Sequence, residues 1–230
     1  DFYPPLTDWR DGSSHADAAL ADTIYDRDYL RSRITAGEAF DWYCRDENAR
    51  NAQQRSAITD SDYNEAWMFR PKDFFGWWSH QHFPRDAGRR RSAATPWVPK
   101  SKPIWLIECG CAAIDRASNA PHVFFDAKAG AVTAPYFSRA SRDDHIQQET
   151  VEAILDVYGV ASDVLNPMSP IYGGPMIEPS RIHLWSWDAR PFPAFPTLTS
   201  FWSDSANWAK GHWLNGRLES LSLKNLLRAL

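Results

Sequence analysis

The sequence has no long hydrophobic run. No stretch of eighteen or more apolar residues occurs in its 230 residues, so we expect no membrane-spanning helix. The first five residues, Asp1-Phe2-Tyr3-Pro4-Pro5, contain neither a basic start nor an apolar signal core. We interpret this beginning as the last residues of a strand that leaves its sheet, because proline cannot remain in a central strand.

Cysteine is scarce. The chain has three cysteines, Cys44, Cys109 and Cys111, so they cannot all form disulfides. Cys109 and Cys111 are separated by one glycine, a spacing typical of neither a zinc site nor a disulfide framework. The pattern predicts reduced thiols in a protein made in a cytoplasm.

The chain also lacks the usual signals for nucleic acid, phosphate or metal binding. Its formal net charge is −4 with both signs interspersed, and its single basic cluster, Arg89-Arg90-Arg91, is too short to form a binding stripe. Gly173-Gly174 has no phosphate-loop pattern around it. His80 and His82 could contact a metal, but no third ligand follows at helical spacing. We therefore predict no nucleic-acid partner, no metal and no cofactor.

Aromatic residues are abundant by contrast. The chain has 12 Trp, 8 Tyr and 12 Phe. Such a density suits stacking on sugar rings, and a large aromatic core is the alternative; both can hold together.

The stretch from Lys102 to Gly110 predicts a buried strand that ends in a carboxylate. Its apolar part, Ile104 to Ile107, is typical of a parallel strand covered on both faces. Strict alternation would place Ile104, Leu106 and Glu108 on one face and Trp105, Ile107 and Cys109 on the other. A carboxylate at the C-terminal end of a parallel strand lies where α/β enzymes place their chemistry. Alternatively, Glu108 caps a helix or pairs with an arginine.

Three segments together predict a βαβ unit. They are a strand at 102–109, an amphipathic helix at 143–159 and a strand at 181–188, with a proline-rich loop at 166–179. The two strands should be parallel neighbours. Glu108 and Asp188 would then emerge at the same edge of the sheet.

Trp185 and Trp187 would lie beside these two acids. Two carboxylates near an aromatic floor are what glycoside hydrolysis requires. Alternation places both tryptophans on one face with His183 and points Asp188 the other way, so a twist or bulge is needed to bring all of them into one pocket. Arg190 is most simply the ion-pair partner of Asp188, and a substrate contact is the alternative.

Several longer motifs are distinctive. They are Tyr3-Pro4-Pro5-Leu6, Asp8-Trp9-Arg10-Asp11-Gly12, Thr95 to Trp105 with Glu108-Cys109-Gly110-Cys111, Tyr172-Gly173-Gly174-Pro175-Met176, Trp185 to Pro196, Trp202-Ser203-Asp204 and Gly211 to Leu218. Together they resemble the TIM-barrel-like, glycoside-hydrolase-like domain of large tail-tip proteins in gene transfer agents and related phages. The family pattern usually has a proline where this chain has Ala112, a difference that concerns the turn.

This resemblance implies an α/β fold, the C-terminal portion of a (β/α)8 TIM-barrel-like domain: the end of strand six, strands seven and eight, and long irregular insertions. Glu108 would be the nucleophile of a retaining glycosidase, and its acid/base partner would come from strand four, outside this chain. Tyr3 and Trp187 would shape the sugar site, and Asp188 with Arg190 would support it electrostatically. The domain would span residues 1–218, with 219–230 as a C-terminal helix or linker.

The resemblance further implies a particle-tail protein that acts on a cell-envelope polysaccharide and contacts other tail or baseplate subunits. The competing hypothesis is a barrel that binds glycan without cutting it, or that serves as a rigid baseplate piece. The leucine stripe from Leu218 to Leu230 needs a partner surface, and it could contact neighbouring subunits.

Overall fold

The computed structural model describes residues 1–123, 134–139, 141, 143–162 and 164–185. The α-helices are Arg27–Ile34 (α1), Glu47–Asn51 (α2), Phe74–Ser79 (α3) and Asp144–Tyr158 (α4). The strands are Trp42–Tyr43 (β1), Ser56–Ala57 (β2), Arg85–Asp86 (β3), Arg89–Arg90 (β4), Ile104–Cys109 (β5) and Ile177–Leu184 (β6). Short 3₁₀ helices occupy Ala16–Ala19, Ala66–Phe69 and Ala117–Asn119.

The central sheet is parallel. β5 pairs with β6 in parallel, and Phe2 forms a parallel bridge to Cys109 on the other side of β5. The backbone N–H of Phe2 donates to Glu108 O at 2.7 Å. The predicted side-by-side parallel strands are therefore confirmed, and the first residues of the chain bridge to β5. The fold is mixed α/β, and the described residues do not close a barrel.

Helix α4 follows its local signals. Asp143 caps it by accepting a hydrogen bond from the Ile146 N–H at 3.0 Å, and Gly159 ends it. The predicted helix at 143–159 is thus confirmed to within one residue at each end. Helix α3 begins at Phe74, because the side chain of Asp73 accepts the Gly76 N–H at 2.7 Å and caps the helix there.

β6 begins and ends earlier than predicted. The sequence pattern predicted a strand at 181–188 after a loop at 166–179, whereas the strand runs from Ile177 to Leu184. Asn166 is fully buried and clamps the start of β6, since its Oδ1 accepts the Ile177 N–H at 2.7 Å and its Nδ2 donates to Ile177 O at 2.9 Å.

Pro179 is the reason why the sequence predicts a loop where β6 begins. Ile104 pairs with Ile177 and Leu106 pairs with Ile182, so two steps along β5 match five along β6. Proline is tolerated in a strand at such an irregularity because no ladder hydrogen bond is required there.

β5 is covered on one face only within the described chain. Leu106 and Cys109 are buried, whereas Trp105 is 52% and Ile107 59% exposed. The predicted burial on both faces is therefore wrong for these residues. Helices α3 and α4 pack against the Leu106 face, and on the other face the described chain places the Arg181 side chain against the Trp105 ring.

Two apolar clusters support the sheet. The first joins the covered face of the sheet to α3 and α4, and its buried members include Phe2, Leu106, Trp78, Ile154 and Tyr158. The second lies between α1 and α4, and it contains Leu30, Tyr29, Ile146 and Ala153. Both apolar clusters meet α4, which makes this helix the centre of the described fold.

Buried polar side chains hold the irregular segments. Asn119 is fully buried; its Nδ2 donates to Trp9 O and Tyr136 O, and its Oδ1 accepts the Trp9 N–H. Lys72 is also fully buried, and its Nζ donates to Arg33 O and Ala36 O just after the last turn of α1. These contacts give hydrogen-bond partners to buried backbone groups. The irregular segments are therefore held against the rest of the same chain.

None of the helices within the described ranges is both long and apolar enough to span a bilayer. The predicted leucine stripe at 218–230 and the predicted domain boundary at residue 218 lie outside the described residues.

Candidate active site at the end of strand β5

Glu108 lies at a bulge near the C-terminal end of β5. Leu106 pairs with Ile182 and Cys109 pairs with Leu184, so Ile107 and Glu108 together lie opposite His183. This extra residue interrupts the alternation, and Glu108 is exposed together with Ile107 while Leu106 and Cys109 are buried. The predicted grouping of Glu108 with Leu106 is therefore wrong: the bulge re-aims the carboxylate toward solvent.

Tyr3 holds this carboxylate. Its Oη donates a hydrogen bond to Glu108 Oε2, across 105 positions of sequence. Burial, followed by the hydrogen bond to Glu108 and the negative charge of Glu108, raises the pKa of Tyr3 above its usual value. Tyr3 therefore remains a protonated donor throughout the physiological pH range, and it keeps Glu108 in one orientation.

Trp185 forms the aromatic wall of this group. It follows the last residue of β6, and its backbone N–H donates to Cys109 O at 2.7 Å. Its ring packs edge-on against the Tyr3 ring, with centroids 5.2 Å apart and planes at 69°. The structure thus brings together three residues predicted for the site: Tyr3, Glu108 and Trp185.

The neighbouring cysteines are unsuited to nucleophilic chemistry. All three cysteines of the chain are free. Burial raises the pKa of Cys109 to about 11, and burial likewise raises the pKa of Cys111 to about 12. Because the thiolate is the reactive form, these two residues are packing elements at neutral pH.

Comparison with known protein families identifies the domain. A family model described as the GTA TIM-barrel-like domain, where GTA denotes gene transfer agent, matches residues 1–196. The chain belongs to this family. A search of the curated proteins found no match. The resemblance inferred from the sequence motifs is confirmed.

Part of the predicted site of this GTA TIM-barrel-like domain lies outside the residues that the structure describes. Trp187, Asp188 and Arg190 lie within the family match but outside the described residues. Their assignments as substrate-binding residues stay predictions.

Within the described part of the chain, Glu108 forms no ion pair. Its carboxylate accepts a hydrogen bond from the Tyr3 hydroxyl. The alternative in which an arginine neutralises Glu108 therefore finds no support there.

His80 and His82 serve an aromatic cluster. His80 stacks on Trp67 and His82 stacks on Trp97, at interplanar angles of 12° and 13°. A ring nitrogen of each histidine faces a carbonyl of α3: Gly76 O at 2.8 Å for His80 and Trp77 O at 2.6 Å for His82. The described residues contain no His, Cys, Asp and Glu group spaced to hold a metal ion.

Two further features were not assigned a role from the sequence. Arg181 on β6 places its guanidinium 4.9 Å from the centre of the Trp105 ring, on the exposed side of the sheet. A groove of about 490 Å³, lined mainly by Trp67, Phe69, Phe74 and Trp77, opens beside Ile104 at the opposite end of β5 from Glu108. The aromatic runs at 67–69 and 74–78 were the sequence signal for this groove.

Proposed function

We propose that this GTA TIM-barrel-like domain acts as a glycoside hydrolase on a cell-envelope polysaccharide, with Glu108 as the nucleophile. The observation that carries the proposal is the exposed Glu108 carboxylate, held by Tyr3 beside the Trp185 ring.

The position of the carboxylate supports this chemistry. Glu108 lies at the C-terminal end of a parallel strand, where βα-barrel enzymes carry their catalytic groups. Retaining glycosidases need an ionised carboxylate aimed at the anomeric carbon, and a fixed donor such as Tyr3 prevents it from rotating away. Trp185 supplies an apolar surface at the same place.

The exposed sheet face supports completion of the site by further strands. Parallel sheets are normally covered on both faces, yet Trp105 and Ile107 are exposed on one side of β5. We propose that this sheet is the C-terminal portion of a (β/α)8 barrel and that these side chains face the barrel interior. The acid/base carboxylate would then come from another strand of that barrel.

Family membership supports the biological setting. We place the domain in the tail of a gene transfer agent particle, where it would contact other tail or baseplate subunits and meet the host envelope. Asp188 and Arg190 would support the sugar site electrostatically, and Trp187 would add a second aromatic surface.

The test is hydrolysis of host envelope polysaccharide by the full barrel domain that contains this chain. Glu108→Gln should lower the release of reducing ends by at least about 10²-fold, because the nucleophile is lost while the side chain keeps its size. Glu47→Gln removes an equally exposed carboxylate in the first turn of α2 and should leave turnover unchanged. Equal turnover by the parent domain and Glu108→Gln would exclude Glu108 as the nucleophile.

A glycan-binding module without catalysis is the second candidate. It is favoured by the Tyr3 and Trp185 rings, which pack edge-on beside Glu108 and offer a surface on which a sugar can be held without being cut. In that case the domain should retain polysaccharide in a pull-down assay, release no reducing ends, and lose binding when Trp185 is changed to alanine.

A further inference from the structure

Gly110 occupies a backbone conformation that other residues rarely adopt. Its φ is +117°, outside the regions favoured by residues that carry a Cβ. It follows Cys109 directly and turns the chain away from the sheet.

The backbone of Trp185 lies against this glycine. A Cβ added at Gly110 would be 2.5 Å from Trp185 O and 3.4 Å from Val151 Cγ2. The Trp185 N–H meanwhile donates to Cys109 O at 2.7 Å. The Trp185 N–H is therefore bonded to Cys109 while its carbonyl lies in the space that a side chain at Gly110 would fill, so moving the carbonyl aside would strain that hydrogen bond.

This contact continues into the candidate active site. The Trp185 ring lies against Tyr3, with ring centroids 5.2 Å apart, and Tyr3 holds the Glu108 carboxylate. A displacement of Trp185 would uncover the Tyr3 ring and loosen the hydroxyl that orients Glu108. A substitution at Gly110 can act on Glu108 through the backbone of Cys109 as well as through Trp185, and Trp185→Leu isolates the second route.

We propose that Gly110 is a positioning residue for the Glu108 site: its missing side chain lets the Trp185 carbonyl approach, and this approach sets the aromatic wall that holds Tyr3 on Glu108. The catalytic part of this statement rests on the proposed glycoside hydrolase function. The structural part does not.

The experiment compares Gly110→Ala with Gly173→Ala. Both glycines have positive φ, but an added Cβ at Gly173, where φ is +70°, would meet no atom within 4 Å. Both variants therefore carry backbone strain, and only Gly110→Ala adds the collision with Trp185. The readout is the ionisation of Tyr3, followed by NMR of ¹³C-labelled tyrosine and assigned with Tyr3→Phe.

In Gly110→Ala, Tyr3 should ionise at least about one pH unit below the parent protein, because displacement of Trp185 exposes the phenol to water. In Gly173→Ala it should ionise as in the parent. If polysaccharide hydrolysis is present in the parent, its kcat/KM should fall at least about tenfold in Gly110→Ala alone.

A folded Gly110→Ala with an unchanged Tyr3 titration would overturn the proposal. If Gly110→Ala does not fold, Trp185→Leu tests the same link, since it keeps the backbone contact and removes the ring. Unchanged Tyr3 ionisation in Trp185→Leu would equally overturn it. Absence of hydrolysis by the parent would reject the proposed function, and the Tyr3 titration would still decide the role of Gly110.

Discussion

At the scale of single residues, two buried asparagines connect the irregular segments of this fold by hydrogen bonds. Asn166 and Asn119 are both fully buried, and each connects segments that are distant in sequence or irregular in backbone. An amide side chain offers both donors and acceptors, so one residue can satisfy several backbone groups that would otherwise be buried without partners.

Changing Asn166 to alanine should therefore be costly. The Asn166 side chain bonds Tyr158 O, Val160 O and both backbone groups of Ile177. We expect Asn166→Ala to lower the free energy of unfolding by about 2–4 kcal/mol, because these groups lose their partners inside the protein. Urea denaturation followed by circular dichroism measures the loss.

Asn48→Ala provides the comparison. Asn48 is exposed in α2, and its replacement should change the stability by less than about 0.5 kcal/mol. Similar effects of the two substitutions would show that Asn166 does not anchor β6.

At the scale of secondary-structure elements, α4 depends on the cap at its first turn. Asp143 accepts the Ile146 N–H and also the hydroxyl of Tyr25, at 2.8 Å. Burial, followed by the hydrogen bond to Asp143, raises the pKa of Tyr25 to about 12. The cap therefore ties α4 to the segment that precedes α1.

Asp143→Ala should lower the free energy of unfolding by about 1–2 kcal/mol, because the cap is lost. It should also lower the pKa of Tyr25 toward its usual value of 10, because the acceptor and its charge are removed. Thermal denaturation and an ultraviolet titration of tyrosinate measure these two effects.

Asp143→Asn should preserve most of the stability, since asparagine is an equally good cap. An unchanged Tyr25 titration in Asp143→Ala would show that this hydrogen bond does not link the two elements.

At the scale of the whole molecule, buried ion pairs make stability depend on pH. Burial by itself would raise the pKa of Asp17, but hydrogen bonds from the Tyr29 hydroxyl, the Asp8 N–H and Arg55 outweigh burial and hold this pKa below its usual value. A carboxylate with a lowered native pKa stabilises the fold above its unfolded pKa, and this contribution is lost as pH falls through the native value.

We therefore expect the difference in unfolding free energy between the parent and Asp17→Asn to be largest near pH 6. It should shrink as pH falls below about 4, where the unfolded carboxyl takes up its proton. Urea denaturation across this range measures it.

Asp22→Asn is the control, because Asp22 is exposed and its change should have little effect at any pH. The difference in unfolding free energy between the parent and Asp17→Asn could instead stay constant with pH. That result would show that the hydrogen-bond partners of Asp17 do not stabilise its charged form.

Local chemistry made some elements predictable from the chain alone. The capping aspartate and terminal glycine of α4 are read directly from residues 143 and 159, since helix ends depend on neighbours three or four positions away. The apolar run at 104–107 predicted β5, and the long motifs predicted the family. The sequence also predicts Tyr3, Glu108 and Trp185 for the site, and in the structure Tyr3 contacts both of the others.

What the sequence determined by itself is thus helix α4, strand β5, the family and the residues capable of chemistry. The tertiary structure decided how they meet: the bulge that exposes Glu108, the irregular pairing that admits Pro179 into β6, and the Tyr3–Glu108 hydrogen bond. The physical reason is the sequence separation between the residues that interact. Helix caps and apolar runs depend on residues a few positions apart, whereas the β5–β6 register joins residues about 75 positions apart and the Tyr3–Glu108 contact joins residues 105 positions apart.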